Sequence, residues 1–371
     1  MEDVTKMKAQ DFTKELRSIV QLLDATRAGH QNQRPVDISL SELVTNRYGL
    51  SIQDYYDKIG INPKKDTMQN IFTMPDRNIR WIVPEIIRDA IYLGIKEAPF
   101  YLNIISSDQA INGLQAIMPV INPSDAAPAR VNEAETIPLG DVSFGQKSVR
   151  LFKIGKGFKI TEEVKNYVSL DVMAIFIRDF GIQLGYALDT LAMDVLINGN
   201  QADGSESAPV IGVNTIAEGI TYKDLLRTWV RGSRLGRVFR TLIGDESAAI
   251  DILDLPEFKI RMYGQPQSTM NLKTPVPSSS DFYIHPGVPE NNVLLVDPRS
   301  ALIKLTARQL MIESEKIVSN QTEAVYATIT TGFSKMYRDA SILIDSTREF
   351  SKSRFPEWMN IDPYITVNIE Q

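Results

Sequence analysis

The chain has 371 residues, of which 43% are hydrophobic and 23% charged, so it has the balance of a folded globular protein and room for one large domain or two to three smaller ones. It has no cysteine, which excludes disulfides, thiolate nucleophiles and cysteine zinc sites. Its net charge of −6 and pI near 5.2 argue against a dedicated nucleic-acid binder, because such proteins gain affinity from a basic surplus.

Residues 1–30 read as an amphipathic helix with Val4, Met7, Leu16, Ile19, Val20 and Leu23 as its apolar positions. Their charged start lacks the apolar core of a secretory signal, and no apolar run approaches the ~18 residues that cross a bilayer. With no cysteine in the chain, a reducing cytoplasm is the simplest place of synthesis. Of the two histidines, His30 and His285, neither has a second histidine at ligand spacing, so neither a metal site nor a Ser-His-Asp triad finds support. Residues 31–75 are mixed and polar. The stretch "FTMPDRNIRWIVPEIIRDAIYLGI" reads as extended chain followed by a helix.

The next segment has the form of a long hairpin. "LQAIMPVI" at 114–121 is one strand. Residues 122–141, rich in proline and alanine and acidic through Glu133, Glu135 and Asp141 with Arg130 among them, read as a long loop. Loops of that length usually have a task. Residues 143–161 then alternate, with Lys147, Val149 and Leu151 on one face and Ser148, Arg150 and Phe152 on the other, which predicts one long strand or two with a bend at Gly155 and Gly157. The "GKG" at 155–157 is not a phosphate loop. Gly157, not Ser or Thr, follows Lys156, the upstream glycine is missing, and the pattern runs on extended through Phe158, Lys159 and Ile160. The acidic loop and the stem carrying Lys147, Arg150, Lys153, Lys156 and Lys159 suit docking onto another copy, loop against stem. An ordinary surface hairpin accounts for the same charges.

A long helix follows. Ser169 is placed as its N-cap, Asp171 favours its first turn, and Gly199 stops it. Val172, Phe176, Phe180, Leu184, Leu188, Leu191 and Val195 form the predicted buried stripe, and Gly181 and Gly185 allow another backbone to come close. Arg178, Asp179 and Asp189 argue against a membrane span. Beyond it, "TYKDLLRTWVRGSRLG" reads as a helix basic on one side through Arg227, Arg231, Arg234 and Arg237, a solvated or intersubunit face more readily than a nucleic-acid one. "RTLIGDESAAIDILDLPEF" reads as strand then helix, and the Pro/Ser stretch 275–280 as a loop. His285 in "FYIHPGVPE" reads as a loop histidine. Residues 300–345 return to strands, and "FPEWMNIDPYITVNIEQ" reads as a tail with a further interface strand.

The order of these parts resembles the major capsid proteins of tailed bacteriophages with the Hong Kong 97-type fold. The resemblance rests on "ETIPLGDVSFGQKSV", then "IGKGFKITEEV", the long helix, "LINGNQADGSESAPVIGV" and the strand-rich stretch 297–345, and it covers about 75–350. It implies an α+β fold with an N-terminal helix and arm (1–95), an extension-loop hairpin and flanks (96–165), a peripheral domain with a long spine helix (166–214 and 297–371) and an axial domain (215–296). It implies a non-enzymatic subunit, without cofactor or metal, that self-assembles into hexamers and pentamers of a phage head. The partners it implies are other copies, a portal, scaffolding or decoration proteins, and double-stranded DNA held by confinement, with no membrane. The subunit would be made in the host bacterial cytoplasm and end in the virion. The contact candidates are Arg130, Glu133, Glu135, Asp141, Lys147, Arg150, Lys153 and Lys156. Some relatives form a lysine–asparagine isopeptide bond, for which Lys147, Lys153 or Lys156 would supply the amine, although no asparagine or glutamate here matches its partners. An encapsulin-like nanocompartment shell is the alternative within the fold, and a carboxylate-dependent enzyme lies outside it.

Overall fold

The computed structural model describes residues 9–28, 39–97, 100–121, 142–200, 205–255, 281–317, 319 and 321–359. Helix α1 (Ala9–Ala28) buries Phe12, Leu16, Ile19, Val20 and Leu23; Val4 and Met7 lie outside the described residues. The stretch expected to be mixed and polar holds three short helices, α2 (Leu40–Tyr48), α3 (Ile52–Ile59) and α4 (Met68–Thr73). Ser39, Ser51 and Thr67 cap them through backbone amides three residues on, and Gly49 and Gly60 end the first two in the left-handed region. Ser39 and Glu42 form a complete capping box, so Ser39→Ala is expected to cost about 1 kcal/mol in urea denaturation. Phe12 meets Tyr48 and Tyr55 edge-on at 5.3 and 5.9 Å, which ties α1 to α2 and α3.

A 3-10 turn (Arg77–Trp81) leads into α5 (Ile82–Glu97), and a second (Tyr101–Asn103) leads into β1 (Ile105–Ala110). Strands β2 (Gln115–Ile121) and β3 (Val142–Arg150) form a separate antiparallel ribbon with Gln115 opposite Arg150 and Ile121 opposite Val142. β4 (Phe152–Thr161), α6 (Glu162–Tyr167), α7 (Leu170–Asn198) and β5 (Val210–Val213) follow. Next come α8 (Tyr222–Arg234), β6 (Thr241–Gly244), α9 (Glu246–Asp254), β7 (Asp281–Ile284) and β8 (Asn292–Val296). β9 (Leu302–Ile317), β10 (Thr322–Lys335) and β11 (Ser341–Glu349) complete the strands.

Two sheets organise the chain. One has the order β1-β9-β10-β4 and shares a core with α5 and α7. The other has the order β5-β11-β8-β6-β7 and packs α8 and α9 around Leu225, Phe239, Leu242, Ile252 and Ile344. The span 297–371 is therefore divided, since β9 and β10 lie in the first sheet and β11 pairs with β8 and β5 in the second. Of the three connections between these sheets, the two after β8 and after β10 meet at Asp297, whose amide donates to the Ala340 carbonyl.

Three local expectations are corrected. The break in 143–161 falls at Leu151, not at the glycines, because Gly155 and Gly157 lie inside β4 opposite Thr328 and Tyr326, whose side chains occupy the space a Cβ would need. On α7, Phe180, Leu184, Leu188 and Val195 are buried as expected, but Val172 and Phe176 face outward, and Met173 and Ile177 take the inner line. Of the four arginines around α8, Arg234 is exposed as expected, whereas the other three are turned onto the chain itself. Arg227 lies 4.1 Å from the Phe350 ring and pairs with Asp224, Arg231 lies 4.8 Å from the Phe355 ring, and Arg237 makes two 2.9 Å bonds to Asp339.

Contrary to the expectation that no apolar run is long enough, helix α7 could cross a membrane by length and composition, but most of its apolar stretch is buried against α5 and the first sheet. The contact with α5 is backbone to backbone. A Cβ on Gly94 would overlap the Arg178 carbonyl oxygen and lie 2.9 Å from the Ile182 nitrogen, and one on Gly181 would overlap the Ile91 carbonyl. The expected close approach thus occurs at Gly181. Glu97 and Arg178 pair at the edge of the crossing.

Candidate functional site

The hairpin stem is built from alternation. Val149 and Leu151 turn inward onto Ile303 and Leu305, and Arg150 between them is exposed. Beyond Leu151 the chain continues as β4 and leaves the ribbon for the first sheet, pairing with β10 so that Lys153 lies opposite Thr330 and Lys156 opposite Ala327. Lys153, Lys156 and Lys159 are exposed on this strand. Lys156 reaches α7, donating to Gln183 and lying 5.6 Å from the Phe180 ring centroid, and Lys165 pairs with Glu323 beside it.

Arg150, Lys153 and Lys156 are all exposed, but Lys153 and Lys156, three residues apart on β4, lie on opposite faces of the sheet, with Lys156 on the α7 side. Lys147 lies in β3 by its backbone. Arg130, Glu133, Glu135 and Asp141, the acidic half of the expected pairing, lie outside the described residues, as do His30 and the tail beyond Met359.

The outer face of α7 was not foreseen. Val172, Ile175 and Phe176 are 43%, 63% and 71% exposed at helical spacing, and Tyr167 just before the helix is 83% exposed. Val172, Ile175 and Phe176 thus share one exposed, apolar side of α7. The sequence signal was present, but periodicity assigned Val172 and Phe176 to the core.

Two other features carry titratable groups. His285 is buried, its Nδ1 accepts the Gly287 amide at 2.9 Å, and its ring packs edge-on to Phe100 at 5.2 Å; burial lowers its pKa. It borders an open groove of about 710 Å³ also lined by Tyr186, Thr190 and Tyr283. Asp189 on α7 is fully buried, and burial raises its pKa to about 7. No cluster of three or more metal-ligating side chains occurs among the described residues.

No family model matches the sequence, and no curated protein matches it. Solved structures do match. A chain from Microbacterium phage Oxtober96 superimposes with a TM-score of 0.51 at 12% identity, over 67% of this chain and 91% of that one. The virus-like particle from Pyrococcus furiosus gives 0.48 at 13% identity, over 70% and 97%. The capsid of a native GTA particle computed with C5 symmetry gives 0.49 at 11% identity, over 66% and 88%. At such identities the likeness is one of fold, and that fold is α+β of the Hong Kong 97 type.

Proposed function

We propose that the chain is the major capsid protein of a tailed phage, a structural subunit whose copies form hexamers and pentamers of a head enclosing double-stranded DNA. One observation carries this reading. The exposed apolar side chains Tyr167, Val172, Ile175 and Phe176 and the exposed cations Arg150, Lys153 and Lys156 occur together on a fold used for shells. A subunit that spent its life as a monomer would gain nothing from exposing those apolar side chains in water. In a closed shell each copy meets several others, and cyclic symmetry lets one such surface serve every contact.

In this reading Arg130, Glu133, Glu135 and Asp141 on the loop dock against Lys147, Arg150, Lys153 and Lys156 of a neighbouring stem. The first sheet with α7 forms the peripheral domain and the segment 215–296 the axial domain, with β11 and β5 completing the axial sheet. DNA is held by confinement, so an acidic pI is no obstacle, and a portal and scaffolding or decoration proteins complete the head. The subunit is made in the host cytoplasm and ends in the virion.

The test is negative-stain electron microscopy with sedimentation velocity, on the protein alone and with a candidate scaffold. Closed shells or rings of several subunits are expected, and a 41.7 kDa monomer under every condition would overturn the reading. The content of the shells, DNA or a protein cargo, separates a phage head from a nanocompartment. Reversing two stem charges, Arg150→Glu with Lys153→Glu, is expected to abolish assembly while far-UV circular dichroism and the melting temperature stay near wild type, because both side chains are exposed.

A further inference from the structure

Asp189 lies in the inner face of α7, 88 residues from the segment it holds. Its Oδ1 accepts the Tyr101 amide at 2.9 Å, and the Phe100 amide is also directed at the carboxyl group. These amides open the 3-10 turn that feeds β1 and, through it, the hairpin. The side chain therefore caps the turn from a distant element. The joint is tightly filled. Phe100 stacks on Tyr283 at 5.4 Å, and Tyr101 meets Phe333 edge-on at 5.7 Å.

The other oxygen, Oδ2, is buried with no hydrogen-bond partner. The charged groups of the surrounding elements are used elsewhere. Lys304 on β9 pairs with Asp108 at 2.8 Å and lies over the Tyr101 ring, and Lys335 on β10 reaches the carbonyls of Leu196 and Glu206. On α5, Glu97 pairs with Arg178, Lys96 lies over Tyr92 and Arg88 donates to the Leu310 carbonyl; Glu85 and Asp89 are its remaining charges. His285, packed on Phe100, has Nδ1 filled by the Gly287 amide. On α7 itself Asp179 accepts Gln183 and Asp194 accepts Asn198, and on β11 Asp345 accepts Thr347. A carboxylate here has two amides on one side and no cation on the other, so its ionised form is the costly one.

We propose that Asp189 is a proton-operated latch between α7 and the root of the hairpin. Protonated, it stays closed on the turn at 100–101. Once its proton is lost to solvent, the buried charge favours a separated arrangement in which water reaches the carboxylate and the hairpin root is freed. The raised pKa is the linkage signature of that preference: the proton is bound more tightly in the closed state than in any state that exposes the group. Stability of the closed joint from this group is full below the ordinary aspartate pKa and is lost as pH rises through about 7. The inference rests on the fold alone and stands whether or not the shell reading does.

Hydrogen exchange of the full chain, corrected for intrinsic rates, tests it. Amides of residues 100–110 are expected to lose about thirtyfold in protection between pH 5.5 and pH 8, while those of β11 change far less. Asp189→Asn keeps the acceptor for Tyr101 and removes the charge, so it is expected to show equal protection at both pH values. If wild type has no such dependence, or if the variant retains it, the latch does not exist. Infrared spectroscopy of the wild-type chain gives a result independent of how the variant folds. A protonated buried carboxyl band that titrates near neutrality supports the latch, and its disappearance before pH 5 overturns it.

Discussion

Gly181→Leu and Gly94→Leu are expected to leave almost no folded protein. Each glycine faces the backbone of the other helix, so an added side chain meets a carbonyl oxygen that cannot rotate away. The helices would have to separate, and the core of α5, α7 and the first sheet would open with them. Overpacking ordinarily costs ~1–3 kcal/mol when side chains can adjust, and here no side chain is available to adjust. Even Gly181→Ala is expected to cost about 3 kcal/mol in urea denaturation followed by circular dichroism. Ala187→Leu, on the exposed face of the same helix, serves as the control and is expected to change little. A Gly181→Ala variant within ~0.5 kcal/mol of wild type would show that the crossing tolerates a wider spacing than described.

Lys335 should make the protein more stable as the solution becomes alkaline. Its amine is buried at the end of β10, 3.4 Å from the carbonyls of Leu196 and Glu206, and burial lowers its pKa to about 8 from an ordinary 10.5 despite the acidic side chains of Asp339 and Glu206. Between pH 8 and 10.5 the unfolded chain binds this proton and the folded chain does not, so stability rises with pH by about 3 kcal/mol from this group. Lys335→Met keeps most of the volume and removes the titration. Denaturation from pH 7 to 10.5 is expected to show a rise in wild type that the variant lacks. At pH 7 the variant should match or exceed wild type, since the burial cost of the charge is removed while the last turn of α7 loses one donor. Parallel curves for the two proteins would mean that Lys335 is solvated in the folded state.

What the sequence made legible was whatever depends on near neighbours. Ser169 and Gly199 bracket α7, and the alternation of 143–151 gives the stem and its partner strand at 114–121. The helices between 40 and 73 were equally open to such reading through Ser39-x-x-Glu42, Ser51, Gly49 and Gly60, but their polar residues masked the caps. The failures depend on partners far along the chain. Gly155 and Gly157 look like a bend until Thr328 and Tyr326, some 170 residues later, are placed against them. Val172 and Phe176 fit a core stripe, and only the position of α5 shows which line faces inward. Arg227 and Arg231 look solvated until Phe350 and Phe355 return beneath them. Of the candidate site, the basic stem was readable, whereas the apolar face of α7 was misassigned to the core and Asp189 was read only as a charge opposing a membrane span.

The ladder between β4 and β10 gives the hairpin a direction-dependent strength. Ten residue pairs, from Phe152 opposite Thr331 to Thr161 opposite Thr322, join the strand that continues the stem to the middle of a four-stranded sheet. Antiparallel hydrogen bonds run across the strands, so tension drawn along the stem loads the ladder in shear and all its bonds resist together. A lateral pull at Leu151 peels the same ladder from one end, beginning with Phe152 and Thr331, and meets only one pair at a time. The hairpin is therefore a stiff tie along its length and a soft lever across it.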